Sequence, residues 1–152
     1  MVCCVRLPRN LKRLYELPEE ERLALAEAWF GLLVADVALR LIPIGRFRTR
    51  ITSPLDPRTT TEDKRECLRA QRYSELVAIA ARHHLYPMRC LRQAIALQWM
   101  LKRRGIASVL RIGIQRAGAE LHAHAWLEYA GQALGQPAGI SRIFAPLLPA
   151  MP

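Results

Sequence analysis

The sequence predicts an α+β fold in which N-terminal helices precede a core with one cysteine-bearing helix packed on a small antiparallel sheet. Three observations carry this reading. Two long stretches in the first half keep apolar residues at helical spacing. A third, compact one opens at Cys90 and closes on Lys102-Arg103-Arg104-Gly105, basic residues in the last turn followed by a glycine suited to the left-handed position beyond it. From Val109 onward the period changes to two, as strands require. A chain of 152 residues is long enough for one compact unit with a core and a site. Within it we expect an N-terminal helical region with its connecting loop over 1–60 and the core over 61–152.

The first helix opens at Leu17-Pro18-Glu19-Glu20-Glu21, where proline is tolerated in the first turn and three carboxylates sit at the positive end of the helix dipole. It should run to about Leu41, stopped by Pro43 and Gly45. Between Ala28 and Leu39 only Asp36 is charged, so the helix either lies centrally in the domain or offers one face to a partner. The apolar run Ala28–Ala35 is far short of the ~20 residues that cross a bilayer, so no membrane span is expected. Residues 44–60 carry prolines, turn residues and arginines and read as a loop. Thr60 followed by Asp63 resembles a capping box, and Leu68, Leu76, Val77 and Ala80 continue a second helix over about 61–84, ending before Pro87.

In the Cys90 helix, Cys90, Ala94, Leu97 and Leu101 fall on one stripe, which puts the thiol in the first turn. Leu110, Ile112 and Ile114 then alternate with Val109, Arg111 and Gly113, and Arg116-Ala117-Gly118-Ala119 marks a turn. In the run Leu121 to Tyr129, His122, His124, Trp126 and Glu128 share one face, and Leu121, Ala123, Ala125 and Leu127 the other. The two runs form a hairpin. A short strand follows at Gln132-Ala133-Leu134, broken by Gly135-Gln136-Pro137.

Composition narrows the function classes. Hydrophobic residues at 51% and charged residues at 24% exclude a disordered or fibrous chain. The net charge of +10 is carried almost wholly by scattered arginines, without zinc-finger spacing, an RNP-like aromatic run or a basic heptad region, so no nucleic-acid partner is expected. Cysteines at 3, 4, 67 and 90 give neither a disulfide framework nor a CxxC pair. Arg6, Arg9, Lys12 and Arg13 precede no apolar run of the secretory kind, so the expected location is the cytoplasm, where thiols stay reduced.

A thiol becomes a good nucleophile when the positive end of a helix and a nearby imidazole stabilise its thiolate. Cys90 has the first feature by position, and His124 on a strand beside the helix can supply the second. A third group must orient the imidazole through its other nitrogen, and the strand end around Gln136 is where to look. Each residue also has a plainer reading, Cys90 as a structural thiol and either histidine as a core or surface residue. Zinc held by Cys90, His122 and His124 is an alternative that lacks the usual tight ligand pair. A peptide-binding module without catalysis is another. His122 and Trp126, on the His124 face, are candidate substrate contacts. Glu128 lies about 13 Å along the strand from His124, too far to touch the same ring, and reads as structural, an acceptor for an arginine.

The string from Cys90-Leu91 through Lys102-Arg103-Arg104-Gly105-Ile106, then Leu110-Arg111-Ile112-Gly113-Ile114, then Ala123-His124-Ala125-Trp126-Leu127-Glu128 and Gly131, resembles the B2 protein of lasso peptide biosynthesis. The stretch Glu27-Ala28 to Arg40-Leu41-Ile42-Pro43 is similar to that family's leading helix, and the resemblance covers about residues 20–147. It implies a transglutaminase-like, papain-like core and a thiol protease that cuts the leader from a ribosomally made precursor peptide. The implied partners are that precursor, a separate leader-recognition (B1) protein and an ATP-dependent lasso macrolactam synthetase; no cofactor is implied. Cys90 and His124 match the family's catalytic pair. The family places an acidic residue about a dozen positions after the histidine, where this chain has Gln136, and no Asp occurs after Asp63.

Overall fold

The computed structural model describes residues 17–41, 61–117, 120–137 and 139–146. The basic N-terminal stretch, the Pro43 and Gly45 stop, the 44–60 loop and the Thr60 cap lie outside the described residues. The elements in order are α1 (Glu19–Leu41), α2 (Thr61–Arg82), α3 (Cys90–Arg103), β1 (Val109–Ala117), β2 (Glu120–Tyr129), β3 (Gln132–Ala133), α4 (Ile140–Ile143) and β4 (Ala145–Pro146). The strands form one antiparallel sheet in the order β3-β2-β1-β4.

Local chemistry accounts for the helix ends. The Pro18 carbonyl accepts from the N–H groups of Glu21 and Arg22, both at 3.0 Å, so α1 starts where proline loses nothing by lacking a donor. At the end of α3, Gly105 N–H donates to Lys102 O at 3.1 Å and Ile106 N–H to Leu101 O at 3.0 Å, with Gly105 at φ +72°. This is the paired bonding that satisfies the last carbonyls of a helix, and it needs a residue that tolerates positive φ. The chain thus leaves α3 already turned toward β1. Helix α2 ends at Arg82 rather than near 84.

Three helices and one face of the sheet enclose the core. Leu32 of α1, Leu76 and Val77 of α2, Met100 and Leu101 of α3 and Leu127 of β2 are almost fully buried. Ion pairs tie the helices together at the periphery. Arg72 of α2 reaches Glu21 of α1 at 2.7 and 2.9 Å and Glu75 at 2.6 Å, and its guanidinium holds the Glu21 carboxyl below its ordinary value. Arg104, just past α3, pairs with Glu27 at 2.5 Å, which raises the guanidinium pKa. Asp36, the single charge in the apolar part of α1, is buried and ion-paired with Arg92 at 2.5 Å and Arg40 at 3.0 Å, although the Arg92 Nε contact lacks hydrogen-bond geometry. Burying a carboxylate is costly unless it is paired, and this pair fastens the first turn of α3 to α1.

The hairpin is longer than the sequence indicates. Strand β1 continues through Ala117 and β2 begins at Glu120, so Arg116 and Ala117 are strand residues paired with Leu121 and Glu120. Burial along β2 also differs from simple alternation: residues 120–123 are exposed, and 125–129 are buried on both faces. Ala125, Leu127 and Tyr129 join the core under the helices, while Trp126 and Glu128 are covered on the other side. Part of that second cover is α4 and β4, two short elements absent from the sequence reading. Strand β4 pairs Ala145 with Ile114 and Pro146 with Gly113, bringing Phe144 over the sheet.

Candidate active site

Cys90 is the first residue of α3, half-buried against the core, with a free thiol. Arg89 before it is extended (φ −68°, ψ 163°), and no side chain caps the helix. The N–H groups of Arg92 and Gln93 bond back to Arg89 O at 3.0 and 3.3 Å, and Gln93 Nε2 donates to Met88 O at 2.6 Å, which braces the chain entering the helix. The thiol therefore stands beside the positive end of a 14-residue helix whose first turn holds no carboxylate.

His124 lies on β2 next to Gly113 of β1, beyond the stretch that β3 covers, since β3 pairs only with Glu128 and Tyr129. Its Nε2 is 3.0 Å from Oε1 of Gln136. With an amide oxygen as partner, Nε2 donates and Nδ1 is left to accept a proton. Gly135, at φ +64°, turns the chain out of β3 so that Gln136 can reach back to the ring. Ser74 of α2 closes on this glycine so tightly that a Cβ there would meet Ser74 Oγ at 2.6 Å, and Gly135 N–H donates to Gln71 Oε1 at 3.1 Å. Helix α2 thus places the segment that carries Gln136.

The His124 ring packs among aromatics, with centroid distances of 5.2 Å to Phe144 and 6.0 Å to Trp126. Trp126 is buried, and its Nε1–H donates to Glu128 Oε1 at 3.1 Å. The other Glu128 oxygen accepts from Arg111 Nε at 2.9 Å. Glu128 is therefore committed to holding Trp126 and Arg111 and has no contact with His124. Gly113 leaves the space these rings need, because a Cβ there would come within 2.7 Å of Phe144 Cβ, 3.0 Å of Trp126 and 3.1 Å of Ala145 O.

The structure brings His124, Gln136 and Trp126 together and sets them on a sheet against which α3 packs. It does not join Cys90 to His124: among the described residues no hydrogen bond links Sγ to the ring. Strand alternation places His124 on the opposite face of β2 from Ala125 and Leu127, the residues in the core with α3. His122 is exposed, its Nε2 3.6 Å from Glu120 Oε2, and it is not part of the His124 cluster. No group of three His, Cys, Asp or Glu side chains suited to a metal occurs among the described residues. Phe144 is the site neighbour the sequence reading missed. Ile140, Ile143 and Phe144 follow helical spacing, a signal too short to stand out beside prolines at 137 and 146.

No helix is long and apolar enough to cross a membrane among the described residues. A search of curated proteins and one of solved structures returned no match. The sequence model of the Transglutaminase-like superfamily matches residues 31–148, more than three quarters of the chain, and takes in Cys90, His124 and Gln136. That superfamily includes cysteine peptidases and transglutaminases, and its cysteine-protease-like fold fits a peptidase. The helix headed by a cysteine, the antiparallel hairpin and the match over this span lead to one conclusion: the chain belongs to the Transglutaminase-like superfamily.

Proposed function

We propose that this chain is a cytoplasmic cysteine peptidase that removes the leader from a ribosomally synthesised lasso precursor peptide, with Cys90 as nucleophile, His124 as base and Gln136 as the group that orients the base. The observation that carries the reading is the 3.0 Å contact between His124 Nε2 and Gln136 Oε1, which leaves Nδ1 to take the thiol proton. A histidine oriented by a neutral amide and paired with a cysteine at a helix start is a known way of activating a thiol.

In this scheme Nδ1 accepts the Cys90 proton as Sγ attacks the scissile carbonyl. The imidazolium then protonates the leaving amine, and water releases the acyl-enzyme by the reverse proton path. The Cys90 N–H, free at the helix start, is the natural donor to the developing oxyanion. Sγ must come within hydrogen-bonding reach of Nδ1 for this chemistry, so the His124 ring or the start of α3 has to move when substrate enters. His122, exposed on the same strand face, is the proposed substrate contact, while Trp126, buried beside the His124 ring, serves as the wall behind it. The sequence resemblance supplies the partners: the precursor, a leader-recognition protein that presents it, and the macrolactam synthetase that follows.

Incubating the chain with precursor and recognition protein, with cleavage followed by mass spectrometry, tests the reading. Cys90→Ala should abolish cleavage and keep the fold, since the substituted side chain is small and only half-buried. Cys67→Ala should leave activity nearly unchanged. Residual cleavage by the Cys90 variant above a trace would refute the nucleophile, and binding of precursor without any fragment would favour a peptide-binding module.

A further inference from the structure

Helix α1 carries an apolar face that no described residue covers. Leu23, Phe30, Val34, Val37 and Leu41 are exposed at 72, 56, 48, 46 and 76%, with exposed Ala26 between them. Spacings of three and four residues put these side chains on one stripe of a helix roughly 35 Å long. The opposite side of the same helix, with Ala24, Ala28, Leu32 and Ala35, is already spent on the core. A stripe of this length is larger than the scattered apolar residues of an ordinary surface.

The arrangement of this stripe identifies its occupant. Exposed carboxylates, Glu19 and Glu20, stand at its beginning, and at its end stands Arg40, mostly exposed although its Nε also pairs with Asp36 at 3.0 Å. When a second α1 is laid antiparallel in the register that sets Glu20 against Arg40 of the other copy, Leu23 falls opposite Val37, Ala26 opposite Val34, and Phe30 opposite itself. Apart from Leu41, which falls opposite Glu19, the face is thus its own complement in apolar content and in the charges at its ends, as an isologous twofold interface requires. We propose that α1 forms an antiparallel pair with α1 of a second copy of this chain, with Phe30 on the twofold axis. The pairing stands apart from the catalytic reading, since none of these residues belongs to the site on β2 and α3. One helix pair makes a small interface, so the dimer forms and dissociates with concentration.

Sedimentation equilibrium of the full chain over a wide concentration range should show a mass rising from one chain to two. Phe30→Glu brings two carboxylates together on the axis and should weaken association by at least roughly thirtyfold, as loss of a central aromatic anchor does. Glu20→Arg and Arg40→Glu each turn both end pairs into like-charge contacts and should each weaken self-association by roughly tenfold. An equimolar mixture of those two variants should recover the parent association, because both end pairs are attractive in the mixed dimer alone. Circular dichroism checks that each variant is folded; because Arg40→Glu also removes a partner of buried Asp36, Glu20→Arg, at an exposed first-turn position, and Phe30→Glu carry the test if that variant does not fold. A parent chain that stays monomeric, as a face reserved for another protein would leave it, overturns the proposal. So does association unaffected by Phe30→Glu, or a mixture of folded variants that fails to associate.

Discussion

Replacing Gln136 by alanine removes the one described side chain that hydrogen-bonds the His124 ring, and the size of the effect follows from the bond itself. In the resting protein a neutral imidazole N–H meets a neutral amide oxygen at 3.0 Å, half-buried. Such a bond contributes ~1 kcal/mol, whereas the charge-assisted bond that forms once the ring takes the thiol proton contributes ~1.5 to 3 kcal/mol. Only the difference between the two lowers the barrier, about 0.5 to 2 kcal/mol, and a further loss comes from a less firmly oriented ring. Gln136→Ala should therefore reduce kcat/KM for leader cleavage by roughly tenfold, against a near-total loss for Cys90 or His124. Gln136→Glu should match or exceed the parent, since a carboxylate stabilises the imidazolium more than an amide does. The assay is initial-rate cleavage of precursor with the recognition protein saturating. Unchanged kcat/KM in a folded Gln136→Ala variant would refute the assignment and leave a backbone carbonyl as the orienter, because both Glu128 oxygens are engaged elsewhere.

Three further outcomes test the framework around the site. Gly113→Ala forces β4 away from β1, since its Cβ meets Phe144 Cβ and the Ala145 carbonyl; a cost of about 1 to 3 kcal/mol should lower Tm by roughly 3 to 10 °C in thermal unfolding, and an unchanged Tm would show that β4 yields freely. Asp36→Asn leaves Arg92 without its charged partner at the start of α3 and should destabilise by about 1 to 3 kcal/mol in urea titration, with no effect expected only if the pair is absent in solution. Glu21 gives a pH signature. Hydrogen bonding to Arg72 depresses its folded pKa below the ordinary 4.5, so the stability it adds is present above that value and lost as pH falls through the folded one. The Tm difference between parent and Glu21→Gln should thus shrink on acidification below about pH 4.5, and a gap that stays constant through the acid range would contradict this.

Sequence alone determined the features that depend on neighbours in the chain. The start of α1 at Pro18 and its acidic turn, the closure of α3 at Gly105 and the strand period after Val109 each rest on interactions within a few residues, and such interactions are readable locally. The pairing of faces on β2 was readable for the same reason, because alternation is a property of the strand itself. What covers each face was not. Burial of Trp126 and Glu128 depends on Arg111 from β1 and on Phe144 entering before β4, contacts made across the sheet by residues with no local signal. The approach of Gln136 to His124 likewise needed Gly135 turned against Ser74 of α2, a helix some sixty residues earlier in the chain. Likewise, the solitary Asp36 gave no hint in sequence of Arg92, since ion pairs between helices are set by how the helices pack and not by spacing along either one. The exposed stripe of α1 shows the same division: its apolar character was plain from Ala28 to Leu39, but only the packing of α2 and α3 decided which side is left uncovered among the described residues.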